Sequence, residues 1–230
     1  LGSYVIPTRI NKFISQSGYC SRRQADDLII QGKVIINSRV AKLGDKVTDT
    51  DKVIIDDKQI TLSKCEKIYL AFHKPVGVIC TTDNNSPNNI IDSLDYPQRV
   101  YPVGRLDVGT SGLILLTNDG AIVNQILKGK NKIEKEYIVD VDKTVTKVML
   151  NKLSSGVMLD GFKTLPAKVE QLADKQFSII ITEGKNRQIR RMCEKCRVNV
   201  IKLKRVRIGN IKLEDLKAGE YRKILPSEIF

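Results

Sequence analysis

Arg105-Leu106-Asp107 stands between two apolar runs, Val100–Val103 and Leu113–Leu116, and the residues joining them, Val108 to Gly112, are mostly turn formers. A carboxylate on a tight loop between buried strands loses solvation and needs a cation nearby to stay ionised. Loops carried by rigid strands are also where reacting groups concentrate. Asp107 in this setting suits a nucleophile or a stabiliser of positive charge. Two further segments carry groups of the same kind. One is Lys135-Glu136-Tyr137. The other is Glu183-Gly184-Lys185-Asn186-Arg187-Gln188-Ile189-Arg190-Arg191-Met192.

The partner implied by charge is a polyanion. The 230 residues carry a formal net charge of +13, and the excess is clustered. Between Lys185 and Arg207 ten residues are Lys or Arg and only Glu194 is acidic. Such clustering is the electrostatic footprint of nucleic acid. At 41% hydrophobic the chain can bury a true core and is no disordered tail. Five cysteines without a paired framework fit a reducing cytoplasm. Cys193 and Cys196 form a C-x-x-C, but the single histidine, His73, is far from it in sequence, so no metal is expected. No apolar run reaches the length of a membrane span, and Leu1 to Thr8 lacks a signal-peptide pattern. Neither a P-loop nor a dinucleotide fingerprint occurs.

The elements that must position these groups fall into two units. A tail over 1–8 precedes a small basic module over 9–60. Helical apolar spacing (Ile10, Phe13, Ile14) ends at Gly18, and Ser21 with Gln24 forms a capping box for a second helix ending near Gly32. Short strands follow at Lys33–Ile36, after an Asn37-Ser38-Arg39 turn, and as a pair around Val47 and Val53–Ile55. A polar linker spans 61–67. The larger unit, 68–230, shows strand signals at 68–72, 76–81, 100–103, 113–117, 137–141, 167–172, 176–182 and 198–208, and helix signals at 121–128, 146–153 and 187–195. Without regular βαβ spacing, these predict an α+β fold. Its expected core is a mixed, largely antiparallel sheet with packed helices.

The first unit resembles the alpha-L RNA-binding domain first described in a small-subunit ribosomal protein. Arg9, Lys12, the Ser21-Arg22-Arg23-Gln24-Ala25 helix start, and Gly32-Lys33-Val34 with Asn37 carry the likeness. Arg22 and Arg23 at a helix N-terminus suit phosphate. The Asp107, Tyr137 and Arg190 segments, in that order, resemble the pseudouridine synthases that modify ribosomal RNA, and the likeness covers essentially the whole chain. Residues 134–137 and 187–194 are most similar to the large-subunit (23S) branch that acts on a single uridine. The small-subunit branch is the nearer rival, and a non-catalytic RNA-binding or ribosome-assembly factor on the same fold is the rival of another class.

The resemblance implies isomerisation of a uridine to pseudouridine: the base is flipped out, its bond to ribose is broken, and the base is rejoined through carbon. It makes Asp107 the catalytic carboxylate and Arg190 its cationic partner. Tyr137 stacks on the uracil and assists proton transfer. Arg105 fills the space the flipped base leaves, or pairs with Asp107. Arg9, Lys12, Arg22, Arg23, Lys33, Lys185, Arg187 and Arg191 are the expected RNA contacts. Lys74-Pro75-Val76-Gly77 resembles a loop near the site, although His73 stands where the family usually has Asn, so no catalytic role follows for it. An isomerisation loses no group and changes no oxidation state, so no cofactor is expected. Ribosomal RNA is the expected partner, with no membrane, a cytoplasmic location and a monomeric state.

Overall fold

The computed structural model describes residues 7–61, 66–83, 85–128 and 133–229. Residues 1–6 of the expected tail and 62–65 of the expected linker lie outside that set. Contacts divide the chain into two units that part between Lys67 and Ile68.

The first unit runs β1 (Thr8–Arg9), α1 (Ile10–Gln16), α2 (Arg22–Ile30), β2 (Val34–Ile36), β3 (Arg39–Val40), β4 (Lys46–Val47), β5 (Val53–Ile55) and β6 (Lys58–Ile60). The Ser21 hydroxyl accepts from the Gln24 amide at 3.2 Å, and the Gln24 side chain accepts from the Ser21 amide at 3.0 Å, closing the capping box. Two hairpins turn on pairs of left-handed residues, Asn37-Ser38 and Asp56-Asp57, the conformation that matches strand twist across a two-residue loop. Ile10, Phe13, Ile14, Ala25 and Ile29 pack on Val34, Ile36, Val53 and Ile55. The strand pair expected around Val47 and 53–55 divides differently. Val47 pairs with Thr8, which is therefore in a strand rather than the tail, while β5 pairs with β2 and β6.

The second unit continues with β7 (Tyr69–Lys74), α3 (Ile90–Leu94), β8 (Tyr101–Pro102), β9 (Ser111–Thr117), α4 (Gly120–Lys128), β10 (Lys135–Val141) and α5 (Lys147–Ser154). It ends with β11 (Met158–Leu159), β12 (Phe162–Lys163), β13 (Lys168–Ala173), β14 (Gln176–Ile181), α6 (Gln188–Glu194), β15 (Val200–Ile208), β16 (Ile211–Lys212) and β17 (Tyr221–Lys223). The main sheet has the order β13-β14-β10-β15-β9-β7-β17, with β16 on β15 and β8 on β9. Among the described residues only β9 and β15 pair in parallel in this sheet; the other strand pairs are antiparallel. The sheet is thus mixed and largely antiparallel.

Side-chain alternation builds two cores on this sheet. Leu70, Phe72, Ile114, Leu116 and Tyr137 face α3, α5 and α6, joined by Phe177 and Leu203. Tyr69, Ala71, Leu113 and Leu115 face α4 through Ile122 and Ile126. Strands covered on both faces read as continuous apolar runs, as β7 and β9 do.

One expected strand is not formed. Residues 76–81 read as a strand, yet they are a loop with a single bridge, Ile79 to Asn89. Pro75 removes a donor, Gly77 sits at φ 90°, and the buried Lys74 ammonium takes the Pro75 and Val78 carbonyls at 2.7 and 2.8 Å. Helix α3 gave no periodic signal because it has only five residues; Asn89 caps it, accepting from the Ile91 and Asp92 amides.

At the centre of the sheet Gly112 lies beside Arg205. Gly112 has φ 108°, and a Cβ there would lie 2.2 Å from the Arg205 carbonyl oxygen and 2.6 Å from its nitrogen. Gly112→Ala is expected to destabilise the chain by about 3 kcal/mol, lowering the thermal midpoint by roughly 6–12 °C. Gly184→Ala, with nothing within 4 Å of the added carbon, should leave the midpoint unchanged. Paired calorimetric melts of the two variants check this.

Candidate active site

Where β9 meets β15, a cavity of about 720 Å³ opens. Its lining includes the whole loop 103–110, Lys135 and Tyr137 of β10, residues 181–189, and Leu203 and Arg205 of β15. The loop and the strands thus place Asp107, Tyr137 and Arg205 on one wall system. Five of the lining residues are cationic (Arg105, Lys135, Lys185, Arg187, Arg205) and two are acidic (Asp107, Glu183). That balance suits a polyanionic ligand.

The Asp107 loop is held by bonds from three directions. Its own turn closes through the Thr110 amide donating to the Asp107 carbonyl at 3.0 Å. From loop 75–80, the Gly77 amide donates to the Val108 carbonyl at 2.9 Å, and the Leu106 amide donates to Cys80 Sγ at 3.3 Å. From α6, Arg190 Nη2 donates to the Gly109 carbonyl at 2.7 Å while Nη1 donates to the Val200 carbonyl at 3.1 Å. The half-buried Asp107 carboxylate itself makes no hydrogen bond or ion pair among the described residues.

This revises the expected pairing. Arg190 grips the backbone of the loop that bears Asp107, not the carboxylate, and Arg105 is exposed at the rim with no ion pair to Asp107. Burial lowers the Arg190 pKa, as does neighbouring Arg187, and Asp107 opposes that shift. Burial likewise lowers the pKa of Lys74, with Cys80 and Asp107 opposing it. The fully buried Lys74 lies outside the sequence-derived site set, yet it fixes loop 75–80. A lysine closing an apolar strand just before a proline was the available signal.

Tyr137 is buried beneath the cavity, and Arg205 Nη1 donates to its hydroxyl at 3.4 Å. Arg205 was also missed as a site residue. The signal was parity: Leu203 and Arg205 share one strand face, and Leu203 is in the core. Residues 183–188 are tied by Gln188, which accepts from the Lys185 amide at 3.0 Å and donates to Glu183 at 2.7 Å, while Glu183 accepts from the Leu165 amide at 2.9 Å. Arg187 takes a left-handed conformation at the start of α6, exposed on the cavity rim with Lys185. Lys185 Nζ lies 3.2 Å from the Phe162 ring centroid.

Arg191 is less free than its neighbours: it is half-buried, pairs with Asp160 and donates to the Asn186 carbonyl. On the first unit Arg9, Lys12, Arg22, Arg23 and Lys33 are all exposed, with Arg22 reaching Asn11 at 3.2 Å. His73 is buried, with Nδ1 2.7 Å from the Leu216 carbonyl oxygen, and burial lowers its pKa. Cys193 is packed in the core, its thiol pushed up to about 12 by burial.

Residues 68–195 match the family model for RNA pseudouridylate synthase, and residues 8–53 match the S4 domain. The chain is 44% identical over 222 residues to the dual-specificity RNA pseudouridine synthase RluF of Escherichia coli (strain K12), spanning 96% of this chain and 77% of that protein. It is 40% identical over 230 residues to the ribosomal large subunit pseudouridine synthase B of Bacillus subtilis (strain 168), spanning 96% and 93%. A crystal structure of a pseudouridylate synthase, 33% identical, superposes with a TM-score of 0.71 over 96% of this chain and 97% of that one.

Arg190→Lys should loosen the Asp107 loop, because an ammonium cannot span the Gly109 and Val200 carbonyls as the planar fork does. Hydrogen exchange of the Gly77 and Thr110 amides is expected to rise about tenfold or more. Arg187→Lys, on the same helix start, should leave both amides as protected as before.

Proposed function

This chain belongs to the RNA pseudouridylate synthase family, and we propose that it isomerises a uridine of large-subunit ribosomal RNA with Asp107 as the reacting carboxylate. It is an RNA pseudouridine synthase with an S4 domain before the catalytic unit. The observation that carries the assignment of Asp107 is its setting. The carboxylate stands half-buried in a cation-rich cavity, on a loop tied at Leu106, Val108 and Gly109, with no bond of its own. A carboxylate already gripped by two hydrogen bonds would have to release them to react; this one does not.

The reaction breaks the bond between ribose C1′ and uracil N1, turns the base, and forms a bond from C5 to C1′. The proton displaced from C5 ends on N1, so nothing is gained or lost. Asp107 meets the electron-poor carbon, either C1′ of the ribose or C6 of the ring. Arg190 acts by holding the loop in register. Tyr137 lies under the base and assists removal of the C5 proton. Arg105, exposed at the rim, fills the gap left in the RNA by the extruded nucleotide. Lys185 and Arg187 meet phosphates at the cavity mouth, and the exposed cations of the first unit hold RNA by its backbone. The large-subunit target follows the Bacillus subtilis relative, a large-subunit enzyme.

Asp107→Asn should abolish turnover, measured as tritium release from 5-labelled uridine in ribosomal RNA, while RNA binding and the thermal midpoint stay at wild-type values. Appreciable turnover by this variant would remove Asp107 from the chemistry.

The first unit should contribute positioning alone. Replacing Arg9, Lys12, Arg22 and Arg23 together by Ala is expected to weaken RNA binding and to flatten the plot of log affinity against log salt by roughly 3. The single-turnover rate at saturating RNA should not change. An unchanged salt slope would show that these side chains do not meet phosphates.

A further inference from the structure

Arg205 is a buried guanidinium with a donor left unmet. Only 4% of the residue is exposed. Nε donates to the Leu113 carbonyl at 2.7 Å, and Nη1 reaches the Tyr137 hydroxyl at 3.4 Å. Nη2 is buried and has no partner, and no carboxylate pairs with Arg205 among the described residues. Two positions along the strand, Arg207 is fully answered by Glu134, Glu136 and the Gly209 carbonyl. The fold can therefore satisfy an arginine on this strand, and at 205 it does not. A buried donor without an acceptor is costly and is normally met by protein, water or ligand. Arg205 lines the same cavity as Asp107 and Tyr137, and Gly112 lets its backbone approach β9.

Building on the isomerase reading, we propose that Arg205 Nη2 donates to a carbonyl oxygen of the extruded uracil and stabilises the negative charge the base carries during the reaction. When the C1′–N1 bond breaks, its electron pair stays on the base and spreads from N1 to O2 and O4, while Asp107 meets the positive C1′. The bond from C5 to C1′ draws on that ring electron density, and the C5 proton passes to N1. If Asp107 adds to C6 instead, the displaced ring pair moves onto O4, and the bond from Asp107 to C6 breaks again once C5 is joined to C1′. Both routes load a carbonyl oxygen, and both gain from a preorganised charged donor in a site shielded from water. Nη1, holding the Tyr137 hydroxyl, keeps the phenol and the guanidinium as one unit below the base. A carbonyl is a better match than a phosphate, because Arg205 lies beside Tyr137 rather than with the exposed rim cations.

The test is single-turnover kinetics at saturating RNA whose target nucleotide is uridine, 2-thiouridine or 4-thiouridine, with wild type, Arg205→Lys and Arg205→Gln. Sulfur is a weak acceptor, so it removes the proposed bond from the substrate side. Both variants should slow the uridine reaction about 100-fold, with RNA affinity unchanged. One thio substitution should slow wild type about tenfold and add nothing in the variants, since the bond is already gone. Variants within threefold of wild type would overturn the proposal, as would an equal thio effect in all three proteins. A loss confined to affinity, with a shallower salt dependence, would make Arg205 a phosphate contact instead. If neither variant folds, the wild type alone decides: no slowing by either sulfur overturns the proposal. Absence of any wild-type turnover on uridine would overturn the isomerase reading, and this proposal with it.

Discussion

The approach of β9 to β15 at Gly112 and Arg205 is the constraint on which the rest of the second unit depends. Among the described residues it is the sheet's only parallel contact and holds by two residue pairs, Lys204 with Ser111 and Arg205 with Gly112. Glycine is required there because any Cβ would meet the Arg205 backbone. On one side of the contact the chain runs back five residues to Asp107. On the other, Arg205 pairs with Tyr137 across the antiparallel ladder. The three groups are thus placed by backbone registers rather than by direct bonds among all of them. Sites built this way hold their geometry only as well as the sheet beneath them does.

The electrostatic design follows from how the buried cations are satisfied. Lys74 and Arg190 are bonded to backbone carbonyls, not to a carboxylate. Carbonyls meet the donors but leave the positive charge uncancelled. A direct ion pair would occupy an oxygen that the proposed reaction needs free. The same bonds brace loops 75–80 and 103–110, so each cation orders backbone close to the carboxylate. Removing either side chain would therefore disturb position and charge together, and neither effect can be read from the other.

Much of this was legible in the sequence, and the failures have specific causes. Ser21 and Gln24 announced the start of α2, and the apolar run of β9 and the alternation of β10 announced the core, because those signals are local. Residues 76–81 misled because apolar content alone cannot tell a strand from a buried loop; what decides it is Lys74, whose ammonium takes two carbonyls of that loop. Helix α3 is too short for its period to show. The Asp107, Tyr137 and Arg190 segments stood out, and the cavity gathers Asp107 and Tyr137 on its walls. What sequence could not supply was the partner of Arg190, since the Asp107 carboxylate and the Gly109 carbonyl, two residues apart, are indistinguishable at that level. Arg205 hid in a run of charge, although strand parity with Leu203 separates it from its neighbours.

That last point changes what the net charge of the segment means. The cations between Lys185 and Arg207 divide by accessibility. Lys185, Arg187, Lys195, Arg197 and Lys202 are exposed, whereas Arg190, Arg191, Arg205 and Arg207 are bonded to protein groups, with a buried donor left unmet at Arg190 Nε and at Arg205 Nη2. Counterion release depends on cations that reach phosphate, so the salt dependence of binding should reflect the exposed set and not the full count. The bonded arginines serve another purpose. Their planar forks tie α6 and β15 to loops and strands that a lysine would reach at one point only. Basic composition thus does two jobs in one stretch of chain. It draws in a polyanion with flexible, solvated charges, and it builds the site beneath with rigid ones.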